Sequence, residues 1–205
     1  MTPGRRRPYP WLEPAILVGS LVPAAAILTR GFRGELGANP IAQALNQLGL
    51  VALVFLIAAL ACTPAKILFG WTWPLRIRRM LGLLAFLYAM LHVATYTGLD
   101  QVFDWPAIWQ DVSKRKFIFV GFAAFMLLIP LAITSTNGAV RRLGFARWKL
   151  LHRLAYVAPA LGVLHFFWRV KKDVSEPVAY GVALTVLLAI RLAAFWRVRT
   201  AATAP

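Results

Sequence analysis

The chain has 205 residues, of which 60% are hydrophobic and 15% charged, with a mean hydropathy of +0.67, which excludes an ordinary soluble globular domain. The net charge of +16 would suggest nucleic acid only if the apolar runs were ignored, because the cations flank those runs as topology signals do, and they favour anionic membrane lipid instead. The predicted class is all-α, an integral membrane six-helix bundle forming one domain over residues 1–205.

The segment MTPGRRRPYP is basic and proline-broken, a lead-in expected on the cytoplasmic side. The first apolar run covers 11–28. Arg5, Arg6 and Arg7 before it and Ala24 to Ala26 within it also allow a cleaved signal peptide, ranked second because Glu13, Pro14 and Pro23 suit an apolar signal core poorly. A polar loop follows at 31–40. The second span covers 41–62 and is expected to stop at Thr63-Pro64, since proline disfavours helix at the residue before it. Trp71 and Trp73 read as interfacial anchors, and Arg76, Arg78 and Arg79 lead into the third span, 80–99. An acidic, aromatic loop at 100–111 holds Asp100, Asp104, Trp105, Trp109 and Asp111. Lys114, Arg115 and Lys116 introduce the fourth span, 117–134. The basic loop STNGAVRRLGFARWK precedes the fifth span, 148–169, and the sixth covers 177–196. Alternate connections carry thirteen and eight of the 23 Lys and Arg residues, with Arg153 and Arg191 inside spans. The positive-inside rule therefore places both termini in the cytoplasm.

The sole cysteine, Cys62, cannot close an internal disulfide, and no CxxC, CxxCH, GxGxxG or Walker-type loop occurs. Covalent c-type haem, a thiolate zinc site and a nucleotide-binding unit are thereby excluded as readings. Three histidines remain as metal ligands: His92 in the third span, and His152 and His165 in the fifth. His152 and His165 are separated by thirteen residues, roughly 20 Å of helix rise, most of a hydrocarbon core of about 30 Å. Ionisable residues within spans are functional by default. His152, beside Lys149 and Arg153, also fits an interfacial position.

The third and fifth spans run in the same direction. His92 and His165 are therefore predicted at one outer level, two neutral imidazoles able to ligate a b-type haem. His152 is predicted at an inner level with Arg78 and Arg79. Arg78 and His92 are fourteen residues apart and fall within about 40° of one helix face. Its guanidinium stays protonated and suits a propionate or phosphate better than iron, although an anchoring role fits it equally. His152 and His165 are roughly 140° out of register on an ideal helix, and Pro159 between them is expected to kink or rewind it.

The blocks NP at Asn39-Pro40, TP at Thr63-Pro64, RRMLGLLAFLYAMLH, LAITSTNGAVRRLG and WKLLHRLAY together resemble the haem-binding membrane subunits of bacterial protein-methionine-sulfoxide reductase systems. That group belongs with ferric-reductase-like and NADPH-oxidase-like transmembrane cytochromes b. The resemblance covers nearly the whole chain. It implies an inner-membrane protein with b-type haem and FMN that passes electrons to a periplasmic molybdopterin methionine-sulfoxide reductase repairing oxidised methionines. The larger oxidase relatives carry paired histidines on both spans, and Arg78 stands here where the fourth would be. Were FMN bound, its phosphate would seek cations such as Arg141, Arg142 and Arg147, and Trp148 could stack on its ring.

Three functions follow as expectations. The first is electron transfer from a quinol or a cytosolic reduced flavin, supplied by a flavin reductase, to the periplasmic partner; the chain would then be the electron-transfer subunit rather than the substrate-reducing one. The second is the cytochrome b subunit of another respiratory oxidoreductase. The third is a non-redox transporter, whose purified form would be colourless.

Overall fold

The computed structural model describes residues 9–203, and every helix or strand among them is a helix. The lead-in cations Arg5, Arg6 and Arg7 lie outside the described residues. Six helical segments are long and apolar enough to cross a membrane. In chain order the elements are α1 (Leu12–Phe32), α2 (Pro40–Phe69), α3 (Pro74–Thr95), a π-helical turn (Tyr96–Asp100) that continues α3, α4 (Trp105–Lys114), α5 (Lys116–Ile133), α6 (Asn137–Leu143), α7 (Phe145–Leu151), α8 (Leu154–Arg169) and α9 (Ser175–Thr203).

Local chemistry sets several ends. Asn39 caps α2, its side-chain oxygen accepting the Ala42 N–H at 3.0 Å, with Pro40 in the first turn where no N–H is needed. Gly70, at φ 70°, closes α2 in the left-handed conformation. Asp104 caps α4 by accepting the Ala107 N–H at 3.1 Å.

The second span does not stop at Thr63-Pro64; α2 runs through it to Phe69, with Pro64 buried. A proline inside a helix leaves the carbonyl four residues earlier without its donor. That carbonyl belongs to Leu60, and Arg191 of α9 supplies the missing donor from Nη2 at 2.7 Å. Tertiary contact thus overrides a local stop signal. The third span likewise begins earlier than expected, so Arg76, Arg78 and Arg79 lie inside α3 rather than ahead of it. The acidic, aromatic loop is largely the helix α4, and the basic loop folds into α6 and the start of α7.

The expected single fifth span is two helices meeting at His152 and Arg153. There the backbone tightens to three-residue hydrogen bonds, from Arg153 N–H to Leu150 (3.1 Å), Ala155 N–H to His152 (3.3 Å) and Tyr156 N–H to Arg153 (3.0 Å). Such turns advance about 20° further per residue than an α-helix. Pro159 follows one turn later and offers no N–H to the Ala155 carbonyl.

α3 packs chiefly on α2, and α5 on α8, with α9 laid against α2 and α8. α1 is tied to this frame by Tyr88 of α3, only 2% exposed. Its hydroxyl accepts the Ala24 N–H at 3.3 Å and donates to the Ser20 carbonyl. Those are two groups that an ideal helix pairs with each other, so the phenol is inserted into the α1 ladder beside Pro23.

Candidate metal centre

The two helix pairs carry one histidine each, and the imidazole rings of His92 and His165 stand 6.2 Å apart between centroids with their planes at 85°. Each ring is held by the partner helix of its own pair. His92 on α3 donates from Nδ1 to the Leu45 carbonyl of α2 at 2.8 Å. His165 on α8 donates from Nδ1 to the Phe117 carbonyl of α5 at 2.6 Å. A carbonyl only accepts, so in both rings Nδ1 carries the proton and Nε2 keeps its lone pair. Orienting a ligating histidine through its other nitrogen is the usual arrangement around a protein-bound metal.

Glycines make this approach possible. Four residues beyond Leu45 stands Gly49, where an added Cβ would lie 3.1 Å from His92 Nδ1. Four residues beyond Phe117 stands Gly121, where it would lie 2.5 Å from His165 Nδ1. Each ring therefore brings its Nδ1 edge against a bare stretch of helix and reaches a carbonyl one turn away, whose second lone pair remains free for it. None of Leu45, Gly49, Phe117 and Gly121 was singled out from the sequence. The available signal was a glycine within an apolar helix, which by itself has many explanations.

The pair suits a metal already enclosed by a macrocycle. A metal–imidazole bond of about 2.0 Å, with the ligating nitrogen about 1.1 Å from its ring centre, would put two rings facing each other across one metal at most about 6.2 Å apart, and the rings stand 6.2 Å apart here. No group of three or more His, Cys, Asp or Glu able to hold a metal ion is found among the described residues. A two-nitrogen donor set fits haem iron, whose other four positions the tetrapyrrole fills.

His152 is not part of this pair. The Thr134 hydroxyl gives its hydrogen to the Pro130 carbonyl at 2.6 Å. Toward His152 Nε2, 3.0 Å away, it therefore accepts, which places the His152 proton on Nε2. Only Nδ1 is left to meet a ligand. Trp148 stacks on this imidazole with centroids 4.1 Å apart and donates from Nε1 to the Thr134 carbonyl at 3.0 Å. Arg78 reaches the Thr63 hydroxyl at 3.4 Å. Arg79 bonds Asn137 at the start of α6 at 3.2 Å. Arg141 and Arg142 lie exposed on that same short helix, and Arg147 is exposed on α7.

Residues 34–163 match the family described as ferric reductase like transmembrane component. A protein-methionine-sulfoxide reductase heme-binding subunit, MsrQ, of Rhodospirillum rubrum is 53% identical, across 93% of this chain and 92% of its own length. The subunit of the same name from Deinococcus radiodurans is 53% identical across 92% of each chain. That from Caulobacter vibrioides is 44% identical across 89% of this chain and 84% of its own.

Proposed function

This chain belongs to the ferric-reductase-like transmembrane family and, within it, to the haem-binding subunits of protein-methionine-sulfoxide reductases, and from that premise we propose that it carries electrons across a membrane through a b-type haem ligated by His92 and His165. The observation that carries the reading is the 6.2 Å separation of two imidazoles whose Nδ1 atoms are both committed to backbone carbonyls. Held there, the haem supplies one-electron redox chemistry at a potential tuned by its ligands and burial. The protein's share is to fix two neutral imidazoles in one tautomer and to surround them with apolar helix.

The partner is a methionine-sulfoxide reductase, and we take it to be a periplasmic molybdopterin enzyme docking on the outer connections. The relatives' name supports the first part, and the count of cations supports the side. The membrane is the bacterial inner membrane, both termini are cytoplasmic, and the donor is a quinol or a cytosolic flavin reductase. An inner cofactor, FMN or a second haem, would sit by the stacked Trp148 and His152 with Arg78, Arg141 and Arg142 near its anionic groups. A cytochrome b subunit serving another respiratory enzyme is the alternative with the same chemistry.

The deciding measurement is the visible spectrum of the purified chain, oxidised and then dithionite-reduced. Low-spin b-type bands that vanish in both H92A and H165A, with membrane insertion intact, are expected. Colourless protein, or full haem content in both variants, would overturn the assignment. Reduced protein that donates to no methionine-sulfoxide reductase would leave the alternative partner.

A further inference from the structure

Arg169 ends α8 four residues after His165, so the two side chains share one helix face a single turn apart. Its side chain is half-buried. It donates from Nη1 to the Asn46 side-chain oxygen of α2. Asn46 is the neighbour of Leu45, whose carbonyl holds the His92 ring. Two consecutive residues of α2 therefore hold the His92 ring and the Arg169 guanidinium. The guanidinium also lies 5.5 Å from the centroid of the Phe166 ring.

This cation is under-neutralised. A guanidinium has five donors in a planar fork suited to carboxylates, and Asn46 offers it a neutral oxygen. No described carboxylate comes within ion-pair distance of it; Glu176 at the start of α9 acts on it only from further away. A charge withdrawn from water at a span's end, with a neutral partner alone, leaves room for an anion. A haem of the b type brings two carboxylates at one edge of its ring.

We propose that Arg169, steadied by Asn46, is the residue that binds the propionate carboxylates of the haem, on the side of the connection between α8 and α9. The assignment rests on the reading that His92 and His165 hold that haem. It would give the ring a fixed orientation, which two imidazoles alone would not supply.

The test compares full-length protein, produced without haem and loaded in detergent with either iron protoporphyrin IX or its dimethyl ester. Wild type is expected to bind the diacid at least about tenfold tighter than the ester, the least that a charge-assisted hydrogen bond carries. In Arg169→Gln that ratio falls to near one, while the low-spin spectrum with the ester matches wild type. Arg169→Lys keeps part of the preference. If Arg169→Gln does not accumulate, the wild-type ratio and the Lys variant decide. Equal affinity for diacid and ester in wild type, with low-spin bands present, overturns the role of Arg169 and leaves the histidine pair standing. An undiminished preference in Arg169→Gln overturns it too, because another group then holds the carboxylates. Failure of both compounds to give low-spin bands overturns the histidine assignment and this proposal with it.

Discussion

Arg191 of α9 donates to the Leu60 carbonyl of α2 at 2.7 Å, the same carbonyl that Pro64 leaves without a helical donor. The guanidinium also meets the Tyr156 hydroxyl at 2.9 Å and lies over its ring at 5.3 Å. An arginine within an apolar span is costly unless it is partnered, and here it replaces a lost hydrogen bond of the helix.

Replacing Arg191 by Leu should therefore destabilise the folded chain by about 1–3 kcal/mol, the cost of a buried unsatisfied polar group. Pro64→Ala restores an N–H for the Leu60 carbonyl. In the double variant the loss should be smaller than the sum of the two single effects. Thermal inactivation of the detergent-solubilised protein measures this cycle, and strict additivity would show that the two residues are not coupled.

The glycines beside the histidines should respond unequally. A Cβ at position 121 would fall 2.5 Å from His165 Nδ1, closer than real Cβ contacts come, whereas one at position 49 would stand 3.1 Å from His92 Nδ1. Gly121→Ala is expected to displace the His165 ring and convert the haem spectrum toward high spin. Gly49→Ala should retain most of the low-spin bands. Spectra of both variants at equal protein content check this; equal behaviour would mean that the rings shift freely.

His152 is hydrogen-bonded and stacked away from the His92–His165 pair, so its alanine variant should keep the low-spin spectrum of that pair. Reduction from the side proposed as cytoplasmic should slow if the level of His152 holds a cofactor. Stopped-flow reduction of reconstituted protein reads this directly. Thr134→Val removes the hydrogen-bond acceptor while leaving the imidazole, and should reproduce part of the same slowing.

Helix α4 exposes Trp105 (65%) and Trp109 (75%), which with Asp100 make the surface we assign to the partner reductase. Asp100 accepts from the side chain of its neighbour Gln101 at 3.0 Å, whereas two acids of the same stretch hold the helix: Asp104 caps α4, and Asp111 accepts from the Tyr96 hydroxyl at 3.2 Å and pairs with Arg115 at 3.1 Å. Substituting those two would disturb α4 itself. The cleaner variant is Asp100→Asn with Trp105→Ala and Trp109→Ala. Haem oxidation by the partner should slow in this variant, and the Asp100 contribution should fade at high salt as a rim charge does, with an unchanged spectrum. Wild-type rates at all ionic strengths would move the docking surface elsewhere.

Much of the architecture was legible before any coordinates, because bilayer thickness imposes lengths of about 20 apolar residues on each span. Composition alone therefore yielded six spans and the all-α class. Spacing and polarity singled out His92, His152 and His165, since ionisable groups are rare inside such runs. The ends of the helices were less legible. Pro64 reads as a stop in any local window, and only Arg191, more than a hundred residues later, supplies the donor that lets α2 continue. The fifth span is expected to kink at Pro159, and the tightened turns lie about one turn earlier, at His152 and Arg153. What the tertiary structure alone decided is how each imidazole is held. The carbonyls of Leu45 and Phe117 and the gaps at Gly49 and Gly121 belong to neighbouring helices, and backbone groups carry no side-chain signature to read. The same holds for Arg169, which in sequence is one more cation at a span's end and in three dimensions is bound to the residue beside the His92 acceptor. Periodicity reports which face a residue occupies; which atom meets it from the next helix is settled by packing.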